Sequence, residues 1–129
     1  MTEKTYGYNV KRYGFPTKRF CQALDLKDDP ELIKEYKALH SEKKVWHEVL
    51  DNMHSVGILE MDIYLAGNHL FMIVEVPADF DWDEAMGRLA KMPKQEEWEN
   101  LTSKYQSTSS GVATDKWKLM ERIFHIYEK

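Results

Sequence analysis

The alternation of apolar and polar positions changes period several times along the chain, and each change marks an element. FCQALDL (20–26) is a short apolar-rich run bounded by polar residues, which predicts a strand. KDDPE follows, with Asp28 or Asp29 placed to cap a helix that begins at Pro30. The apolar spacing then predicts a helical stretch over about Pro30 to Met53, with a break near Ser41, and Gly57 closing the linking turn. ILEMDIYL (58–65) and LFMIVEV (70–76) flank AGNH, the pattern of a β-hairpin with a four-residue loop. Pairing Leu65 with Leu70 puts Met61, Ile63, Leu65, Leu70, Met72, Val74 and Val76 on one face. Glu60, Asp62, Tyr64, Phe71, Ile73 and Glu75 share the other. The first face is wholly apolar and is expected to lie under helices. The second is too apolar for bulk water and too charged for a dry core, which suits a second subunit packing sheet to sheet.

DWDEAMGRLAKM (81–92) and PKQEEWENLTSKY (93–105) predict two more helices, the second opened by Pro93. QSTSSGVATDK is a polar loop, and WKLMERIFHIYEK predicts a last strand near 119–127. Residues 1–18 carry Gly7, Gly14 and Pro16 with no clear period and predict an irregular arm ahead of a single domain at 19–129. The order β, α, β, β, α, β, with the second helix in two pieces, is that of a ferredoxin-like α+β fold: an antiparallel sheet with helices on one face.

Composition narrows the classes of function. A chain of 129 residues predicts one domain with one core. The net charge is −4 with both signs mixed, so there is no basic stripe for nucleic acid and no basic amphipathic helix for a membrane surface. No signal peptide or long apolar stretch is present, and a soluble cytoplasmic protein is expected. The single Cys21 cannot form an internal disulfide; its apolar run predicts a buried, inert thiol. Five phenylalanines, four tryptophans and seven tyrosines supply core, interface and surfaces on which a ring could stack.

On a helical wheel, Leu32, Leu39, Trp46, Leu50 and Met53 form a stripe that should face the sheet, with Tyr36, His40, His47 and His54 along its edge. The three histidines are seven residues apart. That spacing rises roughly 10 Å along a helix, whereas ligands of one zinc converge to about 2 Å from the ion. A metal site is therefore not expected. Tyr36 and His40, at i and i+4, project together. A phenol beside an imidazole is a hydrogen-bonding pair suited to acid–base work on a hydroxyl, or it is a pair at the core boundary. His47 and His54 read as boundary residues.

The run ALDLKDDPELIKEYKALHSEKKVWHEVL resembles the first strand and helix of the L-rhamnose mutarotase family, with Tyr36, His40 and Trp46 at the matching spacing. GILEMDIYLAGNHLFMIVEV is similar to that family's central hairpin, QEEWENL falls at its tryptophan pair, and ERIFHIYE resembles its closing strand. The resemblance covers about residues 20–128. It implies a homodimer of the dimeric α+β barrel type that interconverts the anomers of a 6-deoxy-L-hexose, without cofactor or metal, at a site between the first helix and the sheet. It also implies His40 as proton donor, with Tyr36 and Trp98 contacting substrate.

Two positions depart from the family pattern. Met61 stands where its rhamnose enzymes tend to have a tyrosine, and Glu97 stands for the first tryptophan of the pair. Both would contact sugar, so L-fucose competes with L-rhamnose as substrate. KDDPE before the first helix and the N-terminal arm are additions to the pattern. Two other readings fit such a scaffold: a small monooxygenase or haem-degrading protein using a helix histidine and aromatics, and a non-catalytic ligand-binding module.

Overall fold

Side chains alternating inward along three strands build the sheet. In the computed structural model, which describes residues 6–107 and 116–127, the elements are β1 (Thr17–Asp25), α1 (Pro30–Leu39), α2 (His47–Ser55), β2 (Glu60–Ala66), β3 (His69–Pro77), α3 (Trp82–Ala90), α4 (Gln95–Ser103) and β4 (Lys118–Leu119). The strands run in the order β2-β3-β1-β4, all neighbours antiparallel, which is the ferredoxin-like arrangement expected from the sequence.

Leu65 pairs with Leu70, as the hairpin pattern required, so the wholly apolar face points to the helices. Val74 and Val76 have no exposed surface, and Leu70 and Met72 are buried beside them. Each such burial contributes roughly 1.5–3 kcal/mol. β1 continues this face through Phe20, Gln22 and Leu24, opposite Val74, Met72 and Leu70. Tyr36, Val56, Ala85, Leu89, Tyr105 and Trp117 close over it in a single core.

Several boundaries differ from the sequence expectation. The hairpin turn is shorter than AGNH, because Ala66 pairs with His69 and leaves only Gly67 and Asn68 to turn. Gly67 has φ 63, the positive value a tight primed turn asks of its first residue. The first helical stretch is two helices, divided at the break expected near Ser41. α1 is capped by the Asp29 carboxylate, which accepts from the Glu31 and Leu32 amides, and it ends at His40. A turn led by the Ser41 carbonyl, which accepts from Lys44 and Val45, then resets the axis before α2. The edge line of Tyr36 and the three histidines therefore does not exist as one line. His47 and His54 are exposed, not at a boundary. The buried residues of α1 and α2 are Tyr36 and Val49, while Leu50 of the expected sheet-facing stripe is exposed.

The last strand is also shorter than expected. Only Lys118 and Leu119 pair with β1, and Ile123, Phe124, Ile126 and Tyr127 continue with their side chains in solvent. Cys21 is half-buried on the outer face of the sheet, cross-strand from Ile73, rather than in the core. Part of that outer face is occupied by the chain's own arm: Tyr8 packs edge-on against Tyr64 with ring centroids 5.9 Å apart, and the Tyr13 hydroxyl donates to the Glu60 carboxylate. No helix among the described residues is long and apolar enough to cross a membrane.

Candidate active site

The end of α1 fixes the first half of the site. His40 is the C-cap of the helix, one turn after Tyr36, and the two rings lie 4.5 Å apart between centroids. On its other side His40 meets Trp98 of α4 at 5.4 Å, and Trp98 meets Trp46 at 5.3 Å. His40 Nδ1 lies 2.9 Å from the Tyr36 carbonyl oxygen. A carbonyl only accepts, so Nδ1 carries the proton and Nε2 is left with its lone pair. Burial lowers the imidazole pKa from 6.5, with the carbonyl bond partly opposing that shift. The ring is thus a neutral base held in one tautomer.

Tyr36 is a deeper residue than a pocket wall requires. It is 4% exposed, and burial is the main cause of a phenol pKa pushed up to about 12. The side-chain amide of Gln106 opposes that shift as a hydrogen-bond partner, and the charge of Glu99 adds to it. The phenol stays protonated, and its ring packs edge-on against Tyr105 just beyond α4.

The second half is an open cavity of about 740 Å³ between the inner face of the sheet and the α3–α4 pair. Met61, Met72, Trp82, Met86 and Trp117 make it largely apolar, and Gln22, Gln95 and Glu99 supply polar groups. An apolar concavity with a few convergent polar groups is the usual form of a small-molecule site. Glu97 sits at the rim, mostly exposed, with its carboxylate 3.8 Å from the Lys94 ammonium. Lys94 itself holds a left-handed backbone, φ 71, in the turn that opens α4.

The five residues singled out from the sequence therefore fall in two groups. Tyr36, His40 and Trp98 come together in one aromatic cluster. Met61 and Glu97 line the cavity, and the cluster residues are not part of its lining. The groups meet on α4, where Trp98 touches His40 while its neighbours Glu97 and Glu99 face the cavity. α1 contributes nothing to the cavity wall, so the space lies between the sheet and the later helices rather than beside the first. Among the described residues no three His, Cys, Asp or Glu side chains converge as metal ligands.

Sequence reasoning passed over Gln22, Gln95 and Glu99. The signal for Gln22 was present: in Phe20, Gln22, Leu24 it is the one polar residue at an inward position. Gln95 and Glu99 lie on the stripe shared by Trp98 and Thr102, and Gln95, Trp98 and Thr102 are the buried residues of α4. That stripe was masked by the acidic residues around it.

Fold and site together define a small α+β protein with an open cavity backed by a neutral imidazole and aromatic rings. The chain belongs to the L-rhamnose mutarotase family, which it matches over residues 19–126. It is 36% identical over 111 residues to an L-fucose mutarotase of Xanthomonas campestris pv. campestris, a match spanning 85% of this chain and 89% of that one. It is 40% identical over 114 residues to a UPF0734 protein of Dictyostelium discoideum, spanning 84% and 90%. Among solved structures, an L-rhamnose mutarotase from Formosa agariphila shares the fold with a TM-score of 0.62 at 18% identity, covering 85% of this chain and 99% of that one. Tetracenomycin F2 cyclase from Streptomyces glaucescens, a type-II polyketide cyclase, shares it with a TM-score of 0.52 at 16% identity, covering 87% and 98%. Family and relatives support a sugar mutarotase, an isomerase acting on carbohydrate.

Proposed function

We propose that the protein interconverts the α and β anomers of a 6-deoxy-L-hexose, L-rhamnose or L-fucose, by acid–base ring opening. The observation that carries this reading is His40, a half-buried imidazole whose Nδ1 is committed to the Tyr36 carbonyl and whose Nε2 is free to take a proton. In the proposed reaction a base removes the proton from the anomeric hydroxyl while an acid protonates the ring oxygen. The C1–O5 bond breaks, the aldehyde turns about C1–C2, and the ring closes on its other face with both protons returned. No redox step and no cofactor enter this balance.

In this reading His40 exchanges the proton, Tyr36 and Trp98 contact the sugar from the aromatic cluster behind α4, and Met61 and Glu97 contact it from the cavity wall. A methionine and a carboxylate at the cavity, together with the 36% identical relative named for L-fucose, support L-fucose ahead of L-rhamnose. Anomer exchange followed by proton NMR saturation transfer tests the reading, with L-fucose, L-rhamnose and other hexoses each run with and without protein. Acceleration is expected for a 6-deoxy sugar; none for any sugar would end the proposal.

The same reading includes a cytoplasmic homodimer. Its support is exposed apolar surface: Tyr64 and Phe71 on the outer face of the sheet, and Ile123, Phe124, Ile126 and Tyr127 beyond β4. Monomers seldom leave such a run of large apolar side chains uncovered.

A further inference from the structure

Three polar residues around α4 stand outside every role assigned so far. Gln95 is 2% exposed; its Nε2 donates to the Glu99 carboxylate at 3.1 Å, and its buried Oε1 has no partner among the described residues. Lys116, also 2% exposed, places its ammonium 3.3 Å from the Glu99 carbonyl oxygen. Glu99 lines the cavity beside Gln95, and Gln22 enters the same space from β1. A carboxyl set in a mainly apolar wall is costly to ionise, and such perturbed groups in a cleft are candidates for proton transfer. Burial raises its pKa, while the Gln95 bond and the Lys116 charge pull it back. Glu97 faces the same cavity under different conditions: it is solvated at the rim and paired with Lys94.

We propose that Glu99 is the second proton-transfer group of the reaction, acting from the cavity wall on the ring oxygen of a seated sugar. This rests on the mutarotase reading. On opening, the carboxylic acid gives its proton to O5 as the C1–O5 bond breaks, and the base accepts the proton of the anomeric hydroxyl. On closure the carboxylate takes the O5 proton back and the base returns its proton to the anomeric oxygen, so the protein ends in its starting state. Lys116 acts through Glu99 as a positioning residue that sets its charge.

The test is saturation-transfer kinetics over a pH series for the wild type, Glu99→Gln, Glu99→Asp and Lys116→Met, with circular dichroism to confirm folding. Glu99→Gln is expected to lower kcat by about 10²-fold or more with KM changed only a few-fold, and to remove one limb of the pH profile. Glu99→Asp should restore part of the rate and the limb. Lys116→Met should move that limb to higher pH, because it deletes the charge that favours the carboxylate; this arm stands even if Glu99→Gln fails to fold. An active wild type with Glu99→Gln within threefold of it, or a slower Glu99→Gln with an unchanged pH profile, would overturn the assignment alone. A wild type that accelerates no sugar overturns the mutarotase reading and this one with it.

Discussion

His40 donates its Nδ1 proton to the carbonyl of Tyr36, 2.9 Å away and one helical turn earlier. The bond uses a carbonyl left over at the end of α1, so a helix end does the work that a separate carboxylate does for many catalytic histidines. It fixes the ring's tautomer and direction without adding a charge beside it.

Replacing His40 by asparagine keeps a donor for that carbonyl and removes the basic nitrogen. Exchange is expected to fall by about 10²–10⁴-fold in a folded protein, measured by saturation transfer. The wild-type rate should also fall as pH drops through the folded imidazole pKa, which lies below 6.5, because the competent form is neutral.

Stability should carry two opposing pH slopes. Glu99 has a folded pKa above 4.5, so the native state binds more protons, and stability falls as pH rises from 4.5 through the folded value. His40 has a folded pKa below 6.5, so the unfolded state binds more protons, and stability falls as pH drops below 6.5. Urea unfolding across this range should separate them. Glu99→Gln should leave only stability that climbs toward pH 6.5, and His40→Asn only stability that declines as pH rises.

The Asp29 carboxylate accepts from the Glu31 amide at 2.9 Å and the Leu32 amide at 3.2 Å. Asp29→Ala should cost about 1 kcal/mol in chemical unfolding. Anomer exchange should be unchanged, since the cap is at the opposite end of α1 from His40.

For the proposed homodimer, Phe124 and Ile126 are the informative positions, at 76% exposed each. Changing both to aspartate should shift sedimentation from dimer to monomer. A dimer of undiminished affinity would exclude this segment from the interface.

Period-two alternation carried the sheet into view, because a strand with one face on the core must keep that period over its whole length. Met61 to Val76 needed no tertiary information to be paired correctly. The break near Ser41 was legible too, but its length was not: the turn takes up Ser41 to Trp46, and α2 buries Val49 rather than Leu50. Tyr36 and His40 were legible as a pair because i, i+4 spacing is local. Trp98 could be joined to them only by family resemblance, since it lies 58 positions along the chain from His40. The polar wall of the cavity was hidden for a similar reason. Gln95 and Glu99 look like surface residues of an acidic helix until the sheet and β4 close around them.

The arm at Tyr13 has a consequence for solubility. β2 is an edge strand, so the backbone groups along its free side are open to pairing with another chain. Glu60 and Asp62 put negative charge on that strand, and the Tyr13 hydroxyl reaches both the Glu60 carboxylate and the Leu59 carbonyl at its entrance. The arm thereby shields the start of an edge strand open to such pairing, and shortening it would show first as precipitation on concentration rather than as lost turnover.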